Sequence, residues 1–333
     1  MNRNVIIIGG GICSLYMGIK FLDLGYDVCI MEKNSNINLC NHDGEYYNYQ
    51  IYNNNHLLYI SLLKYYGIYG KSINNIIYNS KFYNIISKIK TKIKTIPSSI
   101  LISLSAIKIL QQTLCIDDFV YMSEMTKHSN MNNLLNTINI LELLNIVNND
   151  LSKSFYYYID KQTINNLLSK MIKNFQNKGG IILYNNEINT IKYNNKIFIL
   201  NNKFTCDYLS TCISKEKLLK FSFWNEYQKY LLNSVESINS SIAEYLFDKV
   251  LNISLPNKKS NIDKKLLEEQ HIVYPSNIKN NKIYIWKQGM YSFTIRESIK
   301  YMYNSQFIIC SESYTKNNLF INYSLEYVNS IFH

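Results

Sequence analysis

The amino-acid sequence predicts an α/β protein with a parallel sheet and a β-meander, joined to a second part that contains helices and a mixed sheet. Three patterns predict this class. A β-branched run at residues 5–8 leads through three glycines into a helical pattern. Residues 28–31 form a second apolar run. A much later helical pattern, at residues 163–177, leads into further short strands.

The first pattern predicts a strand, a glycine turn and a helix. Gly9 allows a tight turn, and Gly11 allows the main chain to approach a pyrophosphate closely at the N-terminus of the helix. Ser14 stands at the third glycine position, where a small side chain permits close packing of the helix on the strand. Apolar residues at helical spacing predict the helix over residues 15–24, and Gly25 ends it.

An acidic residue follows the second apolar run about 20 residues after the glycines, as in a Rossmann-like dinucleotide-binding unit. This residue, Glu32, can accept hydrogen bonds from both ribose hydroxyls, and its charge would repel a 2′-phosphate. We therefore predict that the unit binds the ADP portion of a cofactor. The residues predicted to bind it are Gly9, Gly10, Gly11, Ile12, Cys13, Ser14, Glu32 and Lys33. The alternative is a turn that binds no nucleotide and keeps its glycines for geometry alone.

Composition sets the size and the charge of the molecule. The chain has 333 residues, of which 47% are hydrophobic, and this length suggests two domains. Heavy use of Asn, Ile, Lys and Tyr is typical of AT-rich coding, as in some parasites and large DNA viruses. The formal net charge is +11. The alternating lysines at positions 88, 90, 92 and 94 predict an edge strand with one solvated face, with a patch for a polyanion or a membrane surface as the alternative.

Cysteine and histidine usage argues for an intracellular protein without a metal. The seven cysteines form an odd count without a CxxC pair, which predicts reduced thiols. The five histidines lack ligand spacing.

The chain begins almost directly with the first strand, which leaves no room for a signal peptide, and residues 100–110 are too short to span a bilayer. We expect a cytoplasmic protein, or a virion-associated one if a large DNA virus encodes it, with no nucleic-acid partner and no membrane span.

The middle of the chain predicts a helical cap. After a polar segment at residues 33–55, an amphipathic helix is predicted over 57–66 and is closed by Gly67. Short strands are predicted within residues 73–96. A helix capped by Ser98 or Ser99 is predicted to run to about residue 112, and residues 117–150 are predicted to be mostly helical.

The later part of the chain predicts the rest of the sheet. A helix over 163–177 ends at two glycines, and short apolar runs with Asn-Asn turns then predict a strand and a meander. The predicted strands are residues 181–183, 187–193, 197–201, 204–213, 283–286 and 307–310. Residues 221–247 are mixed, residues 256–265 form a basic loop, and a closing helix begins near residue 319.

Four separated blocks of the chain resemble the flavin-containing amine oxidoreductases, the group of monoamine, polyamine and L-amino-acid oxidases. Residues 5–34 look like that family's FAD fingerprint. Residues 162–213 are similar to its helix, strand and meander, with Ile188 at a valine that meets the adenine and Asp207 at a later acid. Residues 283–293 resemble a late strand with a tryptophan. Residues 307–331 are like the terminal motif, in which Glu312 takes the place of an acid that binds ribityl or phosphate, and Ser311 replaces a glycine.

The resemblance implies an FAD-dependent oxidoreductase of the amine oxidase type. Hydride would pass from a small amine or amino-acid-like substrate to flavin N5, with O₂ as the acceptor. Trp286 and Tyr291 are weak candidates for the substrate wall, with ordinary core packing as the alternative. Lys287 is a weak candidate to replace a family lysine that contacts flavin N5, at whose aligned position the chain has Ser240 or Ser241. A surface position is the alternative for Lys287.

The same resemblance implies a discontinuous domain arrangement. Residues 1–84, 152–214 and 300–333 would form the FAD-binding Rossmann-like domain, and residues 85–151 and 215–299 the substrate or cap domain. Residues 33–44 lack the arginine and paired glycines with which the family usually holds the pyrophosphate.

Two other functions remain open from the sequence. The first is a catalytically degenerate member of the same fold that binds a protein partner, as the Rab escort and GDP-dissociation-inhibitor proteins do. The second is an NAD-linked enzyme, since Glu32 suits the ribose of either cofactor.

Overall fold

The computed structural model describes residues 3–37, 49–54, 56–72, 77–78, 80–119, 140–141, 144, 156–233, 237–246, 251–255, 273–274, 280–291, 306–310 and 321–332. The strands are β1 (Asn4–Ile8), β2 (Asp27–Met31), β3 (Tyr49–Asn53), β4 (Lys71–Ser72), β5 (Ile77–Tyr78), β6 (Tyr156–Asp160), β7 (Ile181–Leu183), β8 (Ile191–Asn194), β9 (Ile197–Leu200), β10 (Phe204–Cys206), β11 (Tyr208–Thr211), β12 (Ser237–Leu246), β13 (Leu251–Leu255), β14 (Val273–Tyr274), β15 (Asn280–Tyr291) and β16 (Phe307–Ile309). The helices with defined bounds are α1 (Ile12–Asp23), α2 (Leu57–Tyr65), α3 (Ser80–Ile93), α4 (Ser98–Ser103), α5 (Ala106–Thr113), α6 (Lys161–Asn177), α7 (Lys215–Leu218), α8 (Glu226–Asn233) and α9 (Ile321–Ile331).

A five-stranded sheet with the order β16-β11-β1-β2-β7 forms the centre of the fold. All four neighbouring pairs in it are parallel. The central strand β1 is β-branched, and its side chains from Val5 to Ile8 are at most 5% exposed. A strand buried on both faces needs such a continuous apolar run. The α/β class and the parallel sheet predicted from the sequence are therefore confirmed.

Apolar clusters cover both faces of this sheet. On one face, α1 packs against α6 and α9, and α9 also packs against α2. The ring of Phe175 on α6 lies so close to two glycines that a Cβ would approach it to 2.6 Å at Gly18 and 2.4 Å at Gly180. The other face is covered by a second cluster that includes Phe198, Trp224 and Phe307. Close packing of α6 on α1 and on the residue before β7 therefore depends on glycine at two separate places.

The meander predicted from the sequence forms a separate antiparallel sheet of β8, β9 and β10. Both hairpin turns have two successive residues with positive φ, at Asn195-Lys196 and at Asn201-Asn202. The first turn is a two-residue loop and the second, residues 201–203, is a three-residue loop. Both need left-handed backbone, which asparagine tolerates well. Three further sheets complete the described strands: β13-β12-β15, β3-β6-β4 and β14-β5.

The alternating lysines at positions 88, 90 and 92 lie in α3. The prediction of an edge strand there was wrong. Ile85, Ile86 and Ile89 are at most 3% exposed, and their spacing of three and four residues gives one buried helical face. Lys88 lies off that face and forms an ion pair with Asp118 at 2.6 Å, and the Lys92 ammonium donates to the carbonyl of Thr113.

Two other boundaries also differ from the prediction. The helix predicted from residue 98 to about 112 is two helices, α4 and α5, separated at Leu104 and Ser105, and neither has a side-chain N-cap hydrogen bond. The strand predicted over 204–213 is two strands, β10 in the meander and β11 in the parallel sheet. The basic loop at 256–265 and most of residues 117–150 lie outside the described residues. In the part of the chain that is described, no helix is both long enough and apolar enough to cross a bilayer.

Candidate dinucleotide-binding site

The glycine turn after β1 is packed on one side and open on the other. Gly9 has a φ of +91°, and a Cβ there would lie 2.8 Å from Cγ2 of Ile213 and 3.1 Å from the carbonyl oxygen of Cys212. At Gly11 a Cβ would meet no described atom within 4 Å. The tight side therefore holds the turn against the segment after β11, and the open side leaves room for a group outside the protein chain.

Helix α1 begins directly at this open side. Its N-cap is Gly11, so no side chain caps the helix, and its first turn contains no acidic residue. The first N–H groups of a helix and its dipole attract an anion. Ser14 donates its hydroxyl hydrogen to the carbonyl of Gly9 at 2.6 Å. Ser14 therefore ties the helix to the turn.

Glu32, at the end of β2, has a carboxylate that binds two backbone N–H groups. Oε2 accepts a hydrogen bond from the N–H of Gly10 at 2.6 Å, and Oε1 accepts one from the N–H of Asn34 at 2.8 Å. The residue is 6% exposed. Each carboxylate oxygen has a further lone pair, so these two bonds do not exhaust the acceptors. Glu32 thus holds the glycine turn and the segment after β2 together.

The segment after β7 joins the same edge of the sheet. Asn186 donates its N–H to the carbonyl of Glu32 at 2.9 Å, and Asn185 donates to the carbonyl of Asn34 at 3.0 Å. Ile188, two residues further on, is 7% exposed and belongs to the same apolar cluster as Met31. Glu32 and Ile188, which the sequence places more than a hundred residues apart, therefore lie on neighbouring segments at the same edge of the sheet.

The segment between β11 and α7 contributes polar groups that the sequence analysis did not single out. The hydroxyls of Thr211 and Ser214 and both carboxylate oxygens of Glu216 are buried without a hydrogen-bond partner among the described residues. Buried polar groups normally have partners, so these four atoms leave hydrogen-bonding capacity for a ligand or for water. One signal could have found them: all lie at or shortly after the carboxyl end of a parallel strand, where α/β proteins bind ligands.

Two lysines also approach each other at this edge. Burial, followed by the neighbouring ammonium of Lys33, lowers the pKa of Lys217 to about 8, while the carboxylates of Glu187 and Glu32 act in the opposite direction. Lys33 is exposed and Lys217 is half-buried. Positive charge therefore gathers beside the otherwise acidic end of β2.

The remaining predicted site residues fall in other places. Trp286, Lys287 and Tyr291 lie in β15, where Trp286 is in register with Ser240 of β12 and Tyr291 with Ser237. Trp286 and Ser240, one of the two serines predicted at the position of the family lysine, are thus neighbours across two strands. Ser311 and Glu312 lie outside the described residues. Among the residues that are described, no three His, Cys, Asp or Glu side chains are grouped so that they could hold a metal ion.

No protein-family profile matches the chain, and no curated protein matches it either. Three solved structures share its fold over nearly the whole length. An oxidoreductase from Methanosarcina mazei has a TM-score of 0.67 at 11% identity and covers 99% of both chains. The PF1083 protein from Pyrococcus furiosus has a TM-score of 0.62 at 12% identity and covers 99% of this chain and 96% of its own.

The third structure is a putrescine oxidase with redesigned cofactor binding. It has a TM-score of 0.66 at 9% identity and covers 100% of this chain and 98% of its own. At such identities the likeness defines the fold alone. The chain therefore has a mixed α/β fold that it shares with oxidoreductases, among them a putrescine oxidase.

Proposed function

We propose that the protein is an FAD-dependent oxidoreductase of the amine oxidase type, acting on a small amine or amino-acid-like substrate. One observation carries the proposal: the Glu32 carboxylate holds the N–H of Gly10 at 2.6 Å, next to a glycine whose side toward α1 is open. An acid and an open turn in this relation form the cradle that an ADP moiety needs. The fold shared with a putrescine oxidase supports amines as the first substrates to test.

The residues present fit the ADP portion of FAD. The pyrophosphate would lie at Gly11 and the uncapped N-terminus of α1. The ribose would lie at the carboxylate of Glu32, and the adenine beside Ile188. The buried hydroxyls of Thr211 and Ser214, which have no partner among the described residues, offer further hydrogen bonds at this edge of the sheet.

When bound, the flavin would supply the hydride acceptor, with O₂ as the final oxidant. The protein would orient the substrate and exclude water from it. We assign the substrate side to the cap domain and place Trp286 and Tyr291 of β15 on its wall, because Trp286 is in register with Ser240, one of the two serines aligned with the family lysine. Lys287, next to Trp286 in the same strand, stays a weak candidate for the role of that lysine.

The visible spectrum of the purified protein tests the cofactor. We expect absorption bands at about 370 and 450 nm, either as purified or after reconstitution with FAD. A protein that stays colourless after incubation with FAD would overturn the proposal and favour a binding protein of the same fold. A titration with NADH in place of FAD, followed by the fluorescence of NADH, tests the alternative that the protein is an NAD-linked enzyme.

A variant of Glu32 tests the site itself. We expect Glu32→Gln to weaken FAD binding by about tenfold or more, since the amide keeps only one acceptor oxygen for the ribose and the turn. Glu226→Gln is the matched control, because Glu226 is an exposed carboxylate of α8 that pairs with Lys229, three residues away. Equal FAD affinity in the parent and in Glu32→Gln would show that the ribose lies elsewhere.

A substrate panel then tests the reaction. Diamines, monoamines and L-amino acids are offered to the FAD-loaded protein, and bleaching of the flavin band without oxygen is compared with peroxide release in air. We expect bleaching by at least one class. FAD binding without bleaching by any class would leave the cofactor site intact and contradict amine oxidation.

A further inference from the structure

Two cysteines lie side by side at the carboxyl ends of neighbouring strands. β11 and β16 pair in parallel with Thr211 opposite Ile309, so Cys212 and Cys310 are the next residues in register. The N–H of Cys310 donates to the carbonyl of Thr211 at 2.8 Å, which keeps this pairing up to the cysteines. Neither cysteine has a role in the cofactor site as we have described it.

The geometry of this pair suits a disulfide. Neighbouring strands lie about 4.8 Å apart. Disulfides join residues whose Cα atoms are about 4.4–6.8 Å apart. Residues in register point to the same face of a sheet, and the thiol of Cys212 is in fact hydrogen-bonded to the side chain of Cys310. No large movement of the backbone is therefore needed to join the two sulfur atoms.

The environment of Cys212 differs from that of the other cysteines in the sheet. Hydrogen bonds with the side chains of Cys310 and Ser14 lower the pKa of Cys212 against the opposing effect of burial. Burial instead raises the pKa of Cys29 to about 11 and that of Cys206 to about 12. The thiolate is the reactive form of cysteine. The Cys212 thiol is therefore more reactive than the thiols of Cys29 and Cys206, and Cys310 is placed to react with it.

We propose that Cys212 and Cys310 form a modification site that a hydroperoxide converts into an intramolecular disulfide. The Cys212 thiolate attacks one peroxide oxygen, the O–O bond breaks, and the second oxygen leaves as water or alcohol after it takes up a proton. The sulfenic acid formed on Cys212 is then attacked by the Cys310 sulfur, and water leaves. Two thiols are oxidised and one peroxide is reduced. The proposal does not depend on flavin binding, because the peroxide can come from any source.

Peptide mapping of the full-length protein tests the site. The protein is treated with about one equivalent of hydrogen peroxide, the remaining thiols are alkylated, and the chain is digested without reduction. Trypsin leaves Cys206 and Cys212 on one peptide, residues 204–215, so cleavage before Asp207 is needed to separate them. We expect a peptide pair linked through Cys212 and Cys310, which disappears after treatment with dithiothreitol.

Serine variants supply the controls. Cys212→Ser and Cys310→Ser should each abolish the linked pair, whereas Cys29→Ser and Cys206→Ser should leave it unchanged. A link between Cys212 and Cys13, oxidation confined to the exposed Cys115, or equal peroxide consumption by the parent and Cys212→Ser would each overturn the proposal. The mapping of the parent protein decides the question even if a variant fails to fold.

Discussion

Two neighbouring glycines of the turn serve different purposes. A Cβ at Gly10 would lie 2.6 Å from Cγ1 of Ile37 and 2.9 Å from Oε2 of Glu32, so alanine there would disturb the chain's own packing. Gly11 has a φ of 163°, which is extended backbone that any residue adopts, and it has open space around it. The packing of the described residues thus requires glycine at position 10 but not at position 11.

The variant Gly11→Ala separates folding from cofactor binding. We expect the free energy of unfolding to change by less than about 0.5 kcal/mol, because the added methyl meets no described atom. FAD affinity should fall by about tenfold or more, since the methyl occupies the approach of the pyrophosphate. Urea unfolding and fluorescence titration with FAD measure the two effects.

Gly25→Ala is the matched control for this experiment. Gly25 has a φ of +80° and also has open space around it, so alanine there is strained by its backbone alone. The strain should cost about 1–2 kcal/mol of stability and leave FAD affinity unchanged. If Gly11→Ala binds FAD like the parent, the pyrophosphate does not lie at this turn.

Glu32 shows how far sequence reasoning reaches at this scale. Its spacing from the glycines predicted an acid beside the turn, and it lies there. Its two bonds to the N–H groups of Gly10 and Asn34 could not be predicted, because they depend on how the segment after β2 folds back. Glu216 was missed for a similar reason: its burial depends on the packing around α7, which no local pattern encodes.

Among the secondary-structure elements, α6 has the clearest start signal. The Asp160 carboxylate accepts hydrogen bonds from the N–H of Thr163 at 2.9 Å and from its hydroxyl at 2.6 Å. These bonds, with a smaller effect of Lys71, lower the pKa of Asp160 below its usual 3.8. The prediction began this helix at Thr163 and so missed its first two residues, because a single aspartate beside a run of tyrosines carries little periodic signal.

The cap gives a prediction for stability and its pH dependence. Asp160→Ala should lower the free energy of unfolding by about 1 kcal/mol at neutral pH, and Asp160→Asn, which keeps an acceptor, by less. Since the pKa is lowered in the folded state, the charge-dependent part is fully present above about pH 4 and is lost as the pH falls through the folded-state value. Urea unfolding at several pH values measures both. An alanine variant as stable as the parent at pH 7 would contradict the role of the cap.

The lysine-rich stretch in α3 shows why a period can mislead. Lysine at every second position of 88–94 satisfies a strand pattern, but Ile85, Ile86 and Ile89 satisfy a helical one over a longer window. The stretch forms a helix because burial of those isoleucines contributes more to the free energy of folding than solvation of one strand face would. β1 was easier to predict, because a short and fully apolar run that leads into glycines is typical of a buried strand in an α/β fold.

On the scale of the whole molecule, three apolar clusters are distinct. Two cover the faces of the parallel sheet. The third joins α3, α4 and α5 with Ile140 and Leu144 and includes no strand of that sheet. The domain division implied by the family resemblance is still a prediction, but the third cluster belongs to the proposed cap domain.

A pair of matched isoleucine variants tests whether this cluster unfolds by itself. Ile89 in α3 and Ile7 in β1 are both 0% exposed. Either substitution by alanine should cost about 2–4 kcal/mol locally. Ile89→Ala should speed amide hydrogen exchange in residues 80–113 and leave exchange in β1 and the flavin spectrum unchanged. Ile7→Ala should instead speed exchange in β1 and β11. Faster exchange in β1 with Ile89→Ala would mean that the two parts unfold as one unit.

The strand order of the central sheet has a consequence for synthesis on the ribosome. β1 and β2 emerge within the first 31 residues, but β11 and β16, which lie on the other side of β1, emerge only at residues 208–211 and 307–309. α9, which covers α1, comes later still. The glycine turn is therefore translated well before the strands that complete its sheet. Until β11 has left the exit tunnel, the nascent chain exposes the apolar flank of β1, a surface that chaperones bind.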